Sequence, residues 1–331
     1  MTLNEYTDAN DPVMGDLPAD ELLAVLEEIG DHEAIAWLRK ELDGQGSLAI
    51  AATDFGFQLP QILGGDAPPW QYTAHVFGYI PRLSAGTTQS VAIVDASNIV
   101  ADRSLVGAHV HITLQQLRVA KYPGNGRHQI LLDCGVFDQR LKERELRFSR
   151  SYNVLDGQSA GVAGDPLFSG LKVGDIGIGL RCQTVNVKNE LDEEFLQVLN
   201  SGTFRHGLKL VGAAINPAII PFTEIVAATT GAFLKRTRRN RKVQEFRMGL
   251  DFETPPFGAR LALGSYLAVQ VPQSVEQAFD WSAWVYLPEQ AAIVSKADGK
   301  TLINHNYLAF GVQRVEPPVS RKKATVVHER P

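Results

Sequence analysis

His109 and His111 stand two apart in the run His109-Val110-His111-Ile112-Thr113-Leu114. On a β-strand this spacing puts both imidazoles on one face, as a strand-borne metal site requires. The bland reading is two histidines on the wet face of a strand. Cys134, within Leu132-Asp133-Cys134-Gly135, has the chemistry of a thiolate nucleophile, but its parity groups it with Ile130, Leu132 and Val136. That is the core side, where a thiol in apolar surroundings is inert. Cys182, in phase with Ile176, Ile178 and Leu180, is read the same way, and two cysteines are too few for a disulfide framework. Asp251 and Glu253 stand two apart at a strand end, while Asp95, Asp133 and Asp138 lie near turns. Glycosidase and calcium chemistry both need carboxylates gathered in space, which these positions do not indicate. The chain has no GxGxxG or P-loop motif, so nucleotide chemistry has no support. The expectation is a protein without catalytic residues or a cofactor.

Charge points elsewhere. The net charge is −5, and it is unevenly spread. Residues 1–45 hold twelve acids, from Glu5 to Asp43, against Arg39 and Lys40. Lys235, Arg236, Arg238, Arg239, Arg241 and Lys242 put six cations in eight residues with no acid among them. The rest of the chain is nearly neutral. Six cations exceed what a helix C-terminus needs, so the run reads as a contact for phosphate or for an acidic partner. It contains no aromatic residue on which bases would stack, which favours a membrane or an acidic protein over nucleic acid. The segment before it, 207–234, is apolar at three- and four-residue steps, with Val211, Ile215, Ile219, Phe222, Ile225 and Phe233 as its contact residues. Pro217 and Pro221 must kink it. An apolar helix ending in cations has the pattern of an interfacial membrane element, and equally that of a helix packed under a sheet.

The elements that would position these residues are mostly strands. Leu22, Leu23, Val25, Leu26 and Ile29 form one helical stripe with acids in the first turn. Gly30-Asp31 breaks it, and a second short helix runs from about His32 to Leu42, burying Ile35, Trp37 or Leu38, and Leu42. From Trp70 the period becomes two. Val110, Ile112 and Leu114 share a face, and the later Leu117 and Val119 are out of phase, which predicts a bulge near Gln115-Gln116. A similar slip is expected in 176–187, before Val185 and Val187. Further strands are predicted at 74–80, 90–94, 129–137, 146–154, 243–252, 261–271, 284–287 and 307–315, and a helical insertion at about 190–236. The fold class is therefore mainly β, a sandwich of C2-like or jelly-roll-like kind.

The pair His109 and His111 resembles the HxH opening of the cupin family, in which a strand His pair, a nearby Glu and a later His bind the metal. Here Gln115 stands roughly where that Glu would be. The pattern of His109–Lys121, the Pro123-Gly124-Asn125-Gly126 turn and Gln129–Gln139 is similar to a C2-type sandwich. Such domains hold calcium with several aspartates in two loops, and the 123–126 turn has none, so calcium-dependent lipid binding is not implied.

The expected organisation is an acidic helical interaction module at 1–45, a linker at 46–69, a β-sandwich body at 70–316 with the helical insertion, and a flexible basic tail at 317–331. Met1-Thr2-Leu3-Asn4-Glu5-Tyr6 has neither the basic start nor the apolar run of a secretory signal. A cytoplasmic protein, peripheral to a membrane, is expected. Its expected function is non-catalytic binding: 207–242 engages an anionic surface, and the acidic front recruits a protein partner and masks the basic run. The alternative is a metal-dependent, cupin-like enzyme using His109 and His111.

Overall fold

The computed structural model describes residues 12–45, 67–84, 86–124, 126–137, 145–160, 162, 164–188, 239–253 and 258–315. The predicted linker up to residue 66, the helical insertion through residue 238, and the tail lie outside the described residues.

The helical stripe folds as expected. Helix α1 (Ala19–Ile29) buries Leu22, Val25 and Leu26 and ends at Gly30, whose φ of 79° places it in the left-handed region. Glycine takes that conformation without Cβ strain. Helix α2 (His32–Gln45) follows, and Leu38 rather than Trp37 is its fully buried residue.

The rest is mainly β, in a sandwich-like arrangement. One sheet contains β1 (Ala74–Pro81), β3 (Val94–Asp95), β4 (His109–Val119), β7 (Gln158–Ser159), β8 (Asp165–Lys172), β12 (Gly264–Val271) and β15 (Tyr307–Arg314). Its order is β3-β1-β12-β15-β4-β7, with β8 also on β4. The other runs β11-β10-β9-β5-β6, made of β5 (Arg127–Phe137), β6 (Glu145–Leu155), β9 (Gly177–Val187), β10 (Arg241–Asp251) and β11 (Gly258–Arg260). All these pairings are antiparallel except β10 with β11. Inward residues of both sheets, among them Ile112, Leu114, Phe310, Ile130, Leu132, Leu180 and Phe246, form one buried cluster. On the outer face of the first sheet, β2 (Val91–Ala92), β13 (Trp284–Leu287) and β14 (Ala292–Ser295) make a third small sheet. There Ile93, Trp281 and Ile293 join Val76, Ile80, Leu267 and Val269 in a second core. Gly78 is required at this contact, because a Cβ on it would lie 2.6 Å from the Trp281 ring.

The bulge in β4 is where the parity predicted it. Phe310 pairs with Leu114 and Ala309 with Gln116, so Gln115 is the extra residue. The slip expected in β9 is absent. Its pairing with β5 is regular throughout, and the irregularity lies between Lys242 and Gln244 of β10. Val185 is apolar because β9 is buried on both faces: it pairs with Leu131, and both are fully buried on the side away from the main core.

Cys134 and Cys182 do face the main core, and they pair directly across β5 and β9, with Cα atoms 4.3 Å apart, joined as a disulfide. Reading each cysteine as a lone buried thiol is corrected by that register.

Candidate functional site

The acidic hairpin is mounted on the sandwich by one buried residue. Asp31 caps α2 by accepting from the Ala34 N–H through Oδ1 at 3.0 Å. Its Oδ2 accepts from the Gly124 N–H, in the turn between β4 and β5, at 2.7 Å. Gly124 is pressed against the hairpin, since a Cβ there would lie 2.9 Å from the Ile29 Cγ2, and its φ of 87° suits glycine alone. Leu22, Leu26, Ile35 and Leu38 share a cluster with Trp70, Tyr122 and the sheet residues. Hairpin and sandwich thus have one continuous core.

At its edge a chain of charges continues the contact. Glu33 Oε2 lies 3.2 Å from Lys121 Nζ, Lys121 lies 3.3 Å from Asp156, and Asp156 lies 2.8 Å from His128 Nε2. Burial acts to raise the Asp156 carboxyl, but hydrogen bonds from His128 and the Tyr122 N–H outweigh it and hold the pKa below the usual range. Burial likewise acts to lower Lys121, and the Asp156 and Glu33 carboxylates outweigh it and raise its pKa. What the hairpin turns outward is mostly acid: Asp20, Glu21, Glu27, Glu28, Glu33 and Asp43 are exposed beside Arg39 and Lys40. Only Glu27 and Arg39 pair with each other, at 2.9 Å.

Of the basic run, Lys235, Arg236 and Arg238 lie outside the described residues, as do Val211, Ile215, Ile219, Phe222, Ile225 and Phe233. Arg239 is exposed and Arg241 half-buried. Lys242 departs from the expectation of a surface cation. Its side chain is fully buried, and Nζ lies 2.7 Å from Glu245 Oε2. Glu245 also takes Arg181 Nη2 at 2.8 Å. Burial would raise the Glu245 pKa, but these two cations more than offset it and hold it low. The reason is positional: Lys242 is the second residue of β10 and pairs with fully buried Val185, on the covered part of the sheet's outer face. Asp133 is held on that face by Arg147, Gln183 and Ser149.

His109 and His111 do share a face of β4, both half-buried, opposite Lys172 and Gln313 respectively. Among the described residues no group of three histidine, cysteine or acidic side chains is placed to hold a metal. Nor do the carboxylates gather into such a group among the described residues. Asp95 accepts from the Ser97 N–H, Asp133 lies in the β5 ladder, and Glu253 pairs with Arg103 at 3.1 Å. Asp138 lies outside the described residues.

The sequence reading passed over His75, in β1. It is buried, lies against Phe246 with ring centroids 4.9 Å apart, and among the described residues has no hydrogen-bond partner at Nε2. Burial pushes its pKa down to about 4, against weaker opposing contacts with Gln244 and the Thr73 backbone. A lone histidine in an ordinary strand pattern carries no sequence signal for this. Among known proteins, no family model, no curated protein and no solved structure matches the chain.

Proposed function

We propose that the chain is a non-catalytic binding protein, in which the sandwich holds two oppositely charged elements for partners. The observation that carries this reading is the mounting of the hairpin. Its apolar stripe is built into the main core while Asp20, Glu21 and Glu28 face outward. A rigid element loses little conformational entropy on binding, so its exposed charge serves recognition of a basic protein surface. The second element is the basic run that leads into β10, whose described exposed member is Arg239. It would meet an anionic surface, a membrane or an acidic partner, with the negative field of the acidic front shielding it until a basic partner neutralises that front in place.

Two measurements on the full chain test this. Fluorescence anisotropy of a lysine-rich peptide should show binding that weakens with salt and is lost on combining Asp20→Asn, Glu21→Gln and Glu28→Gln. Co-sedimentation with phosphatidylserine-containing vesicles, against pure phosphatidylcholine, should be lost when Arg236, Arg238, Arg239 and Arg241 are changed together to Glu. Equal pelleting of both chains removes the anionic-surface part of the reading. If the front shields the run, the acid-neutralised chain pellets more strongly than the native one.

A further inference from the structure

Strand β10 has eleven residues, and β11 pairs with only three of them, Gly249, Leu250 and Asp251. The Asp251 carbonyl points into the lane that β11 occupies, where it accepts from the Leu261 N–H at 2.8 Å. Main-chain direction alternates along a strand, so the N–H and C=O groups of Arg247 and Glu245 point into the same lane. Among the described residues no strand fills the lane beside them. Strand β1 repeats the arrangement. There β3 pairs with only Gly78 and Tyr79, and the Phe77 carbonyl accepts from the Ala96 N–H at 2.9 Å, so the His75 main chain faces the same open side.

Between these two edges lies a cleft of about 320 Å³. Phe77 and Phe246 form its apolar wall, Glu245, Arg247 and Glu276 its charged rim, and His75 lines it with a buried imidazole whose Nε2 has no partner among the described residues. Exposed strand edges are templates for another strand, and a buried polar nitrogen without a partner is costly, so both features ask for an incoming hydrogen-bonding group.

We propose that this cleft binds an extended peptide segment of a partner protein by strand addition to β10, in continuation of the lane that β11 begins. The main chain of the peptide pairs with Glu245 and Arg247. Its inward side chains are apolar and pack on Phe77 and Phe246, and His75 Nε2 takes one further hydrogen bond. The rim fixes the outward pattern: Arg247 and Glu276 are both exposed, so the matching peptide carries an acidic residue towards Arg247 and a basic one towards Glu276. This site is separate from the acidic hairpin and the basic run, and it stands or falls without them.

The test is selection of a displayed library of short random peptides on the full chain, with counter-selection on Arg247→Pro, which removes an edge N–H and blocks pairing. Selected peptides, synthesised, should slow amide hydrogen exchange at Glu245 and Arg247. Arg247→Ala, which keeps the main-chain donor, should bind them far better than Arg247→Pro. His75→Phe, which keeps the buried ring, should weaken them roughly three- to tenfold, the loss of one hydrogen bond. The proposal is overturned if no peptide is enriched over the counter-selection. It is equally overturned if enriched peptides leave the Glu245 and Arg247 amides exchanging at their free rates, a result that does not depend on how any variant folds.

Discussion

Replacing Asp31 by Ala removes two interactions at once, and the structure sets the size of the loss. The first is the cap on α2, since Oδ1 is the acceptor for the Ala34 N–H; losing such a cap costs about 1 kcal/mol, in a range of roughly 0.5–2. The second is the acceptor for the Gly124 N–H, in a contact where Asp31 is completely buried. An amide left without a partner in such a place costs about 1–3 kcal/mol. Together the loss should be about 2–4 kcal/mol, a large fraction of the stability of an ordinary domain. Equilibrium urea unfolding, followed by tryptophan fluorescence, reads it as a lowered midpoint with an unchanged slope. Trp70 is buried in the shared core and reports on this region. Asp31→Asn keeps one acceptor oxygen but turns a donor towards one of the two N–H groups, so it should fall between native and Ala. If Asp31→Ala stays within about 0.5 kcal/mol of native, as surface substitutions do, the hairpin is not mounted in this way.

Other outcomes follow from the same geometry. Replacing Cys134 and Cys182 together by Ala should lower stability by about 4 kcal/mol on the chain-entropy argument for a separation of 48 residues; alkylation and intact-mass measurement before and after reduction would confirm the bond. Lys242→Met should lower the urea midpoint, because it removes one of the two cations that neutralise half-buried Glu245, with no matching change in vesicle binding. His75 is held near pH 4 in the folded state, below the ordinary 6.5. The unfolded chain therefore binds a proton that the folded chain refuses, so the stability from neutral His75 is complete above pH 6.5 and is lost as pH falls towards 4. The slope is about 1.4 kcal/mol per pH unit in that window, and His75→Phe should flatten the stability curve there. Gly78→Ala should cost about 1–3 kcal/mol through overpacking against Trp281, read by thermal unfolding.

Much of the frame was legible from periodicity, because these elements are patterned by a single buried face. The helix break at Gly30-Asp31, the core face of β5 and the Gln115 bulge all follow from counting apolar positions. Where both faces are buried, alternation loses its meaning, and the apolar Val185 looked like a change of register when it was a second buried face. β8 was missed because Pro166, Ser169 and Gly170 interrupt its pattern, β7 and β11 are too short to show one, and β14 has no alternation because Ala292, Ile293 and Val294 are all buried. Charge was read less well than hydrophobicity. A cation run says nothing of which members enter a strand, so Lys242 looked like its neighbours although it lies inside β10 against Glu245. Pairings between distant strands were out of reach, which hid the partner of Cys134 and the cleft beside His75. Asp31 was read only as a helix breaker, because its second contact, to Gly124, depends on the tertiary fold.

Amide hydrogen exchange of the native full chain, comparing α1 and α2 with β5 and β9 in one sample, is the most direct test of the hairpin as a rigid part of the body. The account predicts that the buried amides of the helices open only with those strands, at a similar free energy, and that Asp31→Ala lowers the protection of both. Helices that exchange through a separate, much cheaper opening while β5 and β9 stay protected would contradict it.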